Sequence, residues 1–153
     1  VVIHSVYPNA TKLFQVDLNK FTGYLKKVSL LSLAIGLTIS LVVFALAPFI
    51  IQVLSKKELA ESVSYLRVLA FIPFLASLNI INVVIFLAEG QNNLLFKSSW
   101  MMGIFMLSTS IFLTNQFGAI GLCFALVITE IVAFLICCTL NWIYNKKLIL
   151  NFF

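Results

Sequence analysis

Thirty-two consecutive residues, Ser98 to Thr129, carry no charge, and two further runs, Val28–Ser55 and Val68–Ala88, are uncharged over 28 and 21 residues. About 20 apolar residues in a helix cross the roughly 30 Å hydrocarbon core of a bilayer. With 62% of its residues hydrophobic and 10% charged, a 153-residue chain has no small soluble core large enough to hide that surface. The chain therefore reads as an integral membrane protein, and its function has to be sought in what interrupts the apolar runs.

Polar punctuation divides the chain into four spans. The first runs from about Val28 to Leu54, after Lys26-Lys27 and before Lys56-Lys57-Glu58. The second covers about Leu66 to Ala88 and ends at Glu89-Gly90-Gln91-Asn92-Asn93. The third covers about Leu95 to Thr114, with Asn115-Gln116-Phe117-Gly118 as the next turn, and the fourth runs from about Ile120 to Tyr144 before Asn145-Lys146-Lys147. Strands would leave backbone groups unpaired in lipid, and the runs are too long for barrel strands, so the fold class is all-α: a polytopic transmembrane helix bundle.

Residues 1–8 read as the end of a helix from a truncated span, with His4 near its polar end. The chain as a whole reads as the C-terminal part of a longer protein. Residues 9–27 form a cytoplasmic amphipathic linker, in which Leu13, Phe14, Leu18, Phe21 and Leu25 recur at helical spacing among Lys12, Asp17, Lys20 and Lys27. Either this linker joins two spans or its apolar face meets a lipid substrate. Residues 28–153 hold the four-helix transmembrane part.

Charge gives the orientation. Lys12, Lys20, Lys26, Lys27, Lys97, Lys146 and Lys147 lie on one side, and Lys56, Lys57 and Arg67 on the other. The positive-inside rule puts the first group, and with it the C-terminus, in the cytoplasm. The net charge of +5 sits in short loops beside spans, where it sets topology and meets anionic headgroups rather than nucleic acid. Cys123, Cys137 and Cys138 all fall in the fourth span at a spacing that fits no zinc site, and no metal or other cofactor is expected. No nucleophile–base pair and no glycine-rich phosphate loop is present in the sequence, so an enzyme is not expected.

Two rows of small residues, Ser32/Gly36/Ser40 and Gly121/Ala125/Thr129/Ala133, repeat every four positions and predict close helix–helix contacts. Polar residues at depth are the candidate functional groups. Asn79 and Asn82 lie near mid-bilayer on one face with Phe86 and Glu89, and each amide needs a neighbouring helix or a water-filled cavity. Glu130 is the only acid in the fourth span. A carboxylate in hydrocarbon costs several kcal/mol, so Glu130 points inward, is paired or carries a proton, either as a coupling group or as a structural hydrogen-bonding acid. Arg67 at the mouth of the second span is a candidate headgroup or substrate contact, as is Glu89, whose helix-end position suits a solvated carboxylate.

The order of these features resembles a known family. It comprises Tyr7-Pro8 closing a helix, Ala45-Leu46-Ala47-Pro48-Phe49-Ile50-Ile51 near a span end, and Leu66-Arg67-Val68-Leu69-Ala70 opening the next. A Gly90-centred turn, Phe117-Gly118-Ala119-Ile120-Gly121-Leu122 and Thr129-Glu130 complete it. The series resembles the C-terminal third of bacterial polysaccharide flippases, the O-antigen and capsule translocases of the multidrug/oligosaccharidyl-lipid/polysaccharide exporter superfamily. The resemblance implies four full spans, helices nine to twelve, of a MATE-like twelve-helix, two-lobe transporter in the bacterial cytoplasmic membrane. It implies movement of undecaprenyl-diphosphate-linked oligosaccharide, with the missing N-terminal lobe, membrane lipids and a polysaccharide polymerase machinery as partners. The spans hold no basic residue at depth to meet a pyrophosphate, so such residues are expected from the missing lobe or the preceding helices. The alternatives are a cation-coupled multidrug exporter of the same superfamily, using Glu130 with Asn79 and Asn82, and a non-transporting membrane assembly subunit that binds a partner through Ser32/Gly36/Ser40.

Overall fold

The computed structural model describes residues 9–14, 16–55 and 60–144. His4, Tyr7-Pro8, Lys56-Lys57-Glu58 and Asn145-Lys146-Lys147 lie outside the described residues. Five helices follow in order: α1 Leu18–Ser55, α2 Ala60–Leu69, α3 Ile72–Ala88, α4 Asn92–Phe117 and α5 Ala119–Tyr144. A short helical stretch, 9–14, precedes them, and no strand occurs among the described residues. Among the described residues four stretches are long and apolar enough to cross a membrane: Leu18–Leu54, Ala60–Ala88, Asn92–Phe117 and Ala119–Tyr144. The protein is an all-α polytopic membrane bundle.

Its surface is inverted relative to a water-soluble protein. Leu30, Leu31, Phe49, Leu54, Trp100, Ile104, Leu107, Ile111 and Ile143 are exposed, whereas Ser29, Ser32, Ser40, Ser77, Ser98, Asn82 and Asn141 are buried. Apolar side chains gain nothing by leaving lipid for one another, so the interior goes to groups that pack closely or hydrogen-bond across helices.

Two boundaries differ from the sequence reading. α1 does not start at Val28. Asp17 caps it, its Oδ1 accepting the backbone N–H groups of Asn19 (2.9 Å) and Lys20 (3.3 Å), and the helix then runs unbroken for 38 residues. At 1.5 Å per residue it is about 57 Å long, more than a bilayer thickness, so part of it stands outside the hydrocarbon. The Lys26-Lys27 pair thus lies within the helix and does not mark where it begins.

The second difference is a break. The second span starts at Ala60 and is split at Ala70–Phe71 into α2 and α3, with Pro73 in the first turn of α3. Proline is tolerated there because first-turn N–H groups have no intrahelical acceptor. The neighbouring Phe74 N–H is such an orphan, and it donates to Ser40 Oγ of α1 at 3.2 Å. One helix therefore caps the interrupted end of another within the membrane.

The Ser32/Gly36/Ser40 row explains how α1 comes so near. All three residues are buried. A methyl group at Gly36 would fall 2.7 Å from Ser77 Oγ and 2.9 Å from the Pro73 carbonyl oxygen. Gly121, in the second row, does the same for α5: an added Cβ would collide with the Leu113 carbonyl of α4. The α3–α4 turn is closed by a Schellman arrangement in which Gly90 (φ +70°) donates to the Leu87 carbonyl and Gln91 to the Phe86 carbonyl.

The amphipathic stretch packs on protein. Ala10, Phe21 and Leu25 are buried against Val84, Ile85 and Ala88 at the end of α3, with Leu13 and Phe14 beside them; Leu18 stays exposed. The Phe14 and Phe21 rings meet edge-on, 5.2 Å between centroids. This cluster ties the start of α1 to the end of α3.

Candidate functional site

The two polar candidates Glu130 and Asn79 come together. They line one groove of about 580 Å³ formed by α1, α3 and α5, whose remaining walls include Ser32, Ile35, Gly36, Pro73, Ser77, Ile80 and Val83. The residues that bring α1 against α3 thus also form the groove's wall. α1 contributes Ser32 and Gly36 among the larger Val28, Leu31, Ile35 and Ile39, and α3 contributes Ser77 and Asn79. α5 contributes Glu130, half-buried and the only charged residue in the lining. Ser77 Oγ donates to the Phe74 carbonyl at 2.6 Å, and the residue is buried beside Gly36. The groove offers a carboxyl, an amide and two hydroxyls along an otherwise apolar wall. Such a lining suits hydroxyl-rich or cationic guests, and contains no basic group to hold a phosphate.

Asn82, one turn further along α3, is drawn into a different task. Its Oδ1 accepts from Asn141 Nδ2 of α5 at 2.8 Å, and its Nδ2 donates to Asn79 Oδ1 at 3.3 Å and to Cys138 Sγ at 3.5 Å. Asn82 is 7% and Asn141 1% exposed, so the pair forms a dry clamp between α3 and α5. Asn82 thus bonds across to α5, while Asn79 accepts from Asn82 and also borders the groove. Asn141 is absent from the sequence reading. Its signal was only a single amide near the polar end of the last span, where a solvated side chain is the ordinary expectation.

Glu89 is the C-cap of α3 and is not fully solvated: it is half-buried, with Oε2 shielded from solvent at the Gly90 turn. Arg67 is exposed on α2, at the opposite end of the bundle from that turn, and neither residue reaches the Glu130 groove. Cys123, Cys137 and Cys138 are free thiols, and no cluster of three or more potential metal ligands occurs among the described residues.

No curated protein and no solved structure shows significant similarity to the chain. A family does. The family model described as polysaccharide biosynthesis protein matches residues 10–152, nearly the full length and all four spans. The chain belongs to the polysaccharide biosynthesis protein family.

Proposed function

We propose that the chain is part of a flippase that moves undecaprenyl-diphosphate-linked oligosaccharide units across the bacterial cytoplasmic membrane for O-antigen, capsule or exopolysaccharide assembly. The observation that carries this reading is the groove. A membrane bundle of a polysaccharide-biosynthesis family lines one groove between three helices with a carboxyl, an amide and two buried serines. Groups of this kind exchange hydrogen bonds with sugar hydroxyls, and a carboxyl in an apolar setting can alternate between charged and neutral as the face closes and opens. The basic residues needed for the diphosphate belong, on this reading, to the N-terminal lobe of a MATE-like twelve-helix transporter, and a polymerase would take up the delivered units.

The same groove supports a second reading. Glu130 and Asn79 in one groove, with no basic residue in the lining, also suit a cation-coupled multidrug exporter. The assembly-subunit reading is less favoured, because α3 occupies the Ser32/Gly36/Ser40 row that a partner would need.

The test is made in the intact transporter. Glu130→Gln keeps size and hydrogen bonding while fixing neutrality. It is expected to reach the membrane at normal levels and to fail to restore surface polysaccharide in a flippase-null strain. Full restoration would make Glu130 a structural acid. Failure of the unaltered transporter to restore polysaccharide, combined with drug resistance on expression, would favour the exporter.

A further inference from the structure

A second groove, of about 490 Å³, lies between the end of α1 and the start of α2 and is lined by Pro48, Ile51, Gln52, Ala60, Val63, Ser64 and Arg67. Three of these residues are polar and exposed: Gln52, Ser64 and Arg67. The guanidinium of Arg67 is held in place, its Cζ 5.4 Å from the centre of the Phe44 ring, and that ring leans in turn on Phe71 at 5.9 Å. A cation over an aromatic face keeps its edge N–H groups available for an anion. Among the described residues no carboxylate lies within ion-pair distance of Arg67. The nearest acid on its own helix, Glu61, accepts from Tyr65 Oη at 3.4 Å.

We propose that this groove is a binding site for one anionic phospholipid, its phosphate on Arg67 and its acyl chain along the wall of Pro48, Ile51, Ala60 and Val63. Two features fit this occupant. The cation stands about seven residues inside the start of α2, roughly 10 Å below the helix end at 1.5 Å per residue, a depth at which headgroup phosphates meet snorkelling side chains. The wall beside it is apolar, which a free inorganic anion has no use for. Gln52, exposed in the same lining, carries an amide N–H₂ that serves as a second donor on this reading. The site is separate from the Glu130 groove and stands whichever substrate is moved.

Native mass spectrometry of the delipidated full chain tests the proposal, with dioleoyl phosphatidylglycerol and dioleoyl phosphatidylcholine as probes. The first phosphatidylglycerol is expected to bind more tightly than phosphatidylcholine, by about fivefold to tenfold. Arg67→Gln should abolish that preference, whereas Lys20→Gln, at the other end of α1, should keep it. Phe44→Leu, which removes only the aromatic support, should weaken phosphatidylglycerol by about twofold to fivefold. If Arg67→Gln loses helicity by circular dichroism, the unaltered chain and Phe44→Leu still decide. Equal binding of the two lipids by the unaltered chain, an unchanged preference in Phe44→Leu, or displacement of phosphatidylglycerol by millimolar inorganic phosphate would each overturn the site.

Discussion

Asn79 and Asn82 are three residues apart on one helix and carry the same side chain, yet their surroundings separate their roles. Asn82 is tied to Asn141, while Asn79 borders the groove with Glu130. Cysteine at Asn79 should therefore react with a small hydrophilic thiol reagent in the full-length transporter, and cysteine at Asn82 should not. Equal reaction at both positions would remove the clamp; equal inertness would remove Asn79 from the pathway. The clamp has a thermodynamic signature as well. Interhelical hydrogen bonds in membrane proteins contribute about 0.6 to 2 kcal/mol, and a lone buried amide costs more than none. Asn82→Leu and Asn141→Leu should each destabilise the bundle, and the double variant should lose about 1 kcal/mol less than the sum. A strictly additive cycle, measured by unfolding in mixed micelles, would show that the amides do not interact.

At the scale of the element, α1 and α3 fit together through what they lack. Gly36 has no side chain where Ser77 and the Pro73 carbonyl approach, and Pro73 has no N–H where α3 begins. Gly36→Val should force the helices apart and destabilise the bundle by about 1 to 3 kcal/mol, since a backbone carbonyl cannot move aside as a long side chain can. Ser40→Ala should cost about 1 kcal/mol by leaving the Phe74 N–H without its acceptor. Comparable stability of both variants to the parent in thermal unfolding would contradict this account of the contact. The small-residue rows were legible in the sequence because a spacing of four is a property of one helix. The break at Ala70–Phe71 was not, because residues on both sides are apolar and hydropathy does not register a lost N–H. Nor did the charge pattern reveal that α1 begins at Leu18, since a helix continues through Lys26-Lys27 once water can solvate them. The site was half legible for a related reason. Glu130 and the two amides stand out as polar groups at depth, but which of them share a groove depends on the rotation of α3 against α5, and no single helix encodes that.

For the whole molecule, the distribution of basic residues and the packing agree on which ends belong together. The start of α1, with Lys12, Lys20, Lys26 and Lys27 in and around it, is tied by Phe21 and Leu25 to Val84, Ile85 and Ala88 just before the α3–α4 turn, and Lys97 follows that turn. The α4–α5 turn, closed by Gly118 (φ +65°) with its N–H on the Thr114 carbonyl, lies at the far end of α4 and has no charge from Ser98 to Thr129. A positive end and an uncharged end, separated by a 26-residue helix of about 39 Å, are what the positive-inside rule needs to fix an orientation. The expected arrangement has the α3–α4 turn in the cytoplasm and the α4–α5 turn outside. Single cysteines at Gln91 and Gln116 read this directly in intact cells with an impermeant thiol reagent, against a background with Cys123, Cys137 and Cys138 replaced by alanine. Gln116→Cys should label from outside, and Gln91→Cys should label only after the cells are permeabilised. The reverse result would turn the bundle over, placing the lysine-rich end outside and Arg67 at the cytoplasmic face, and the positive charge would then have to serve something other than topology.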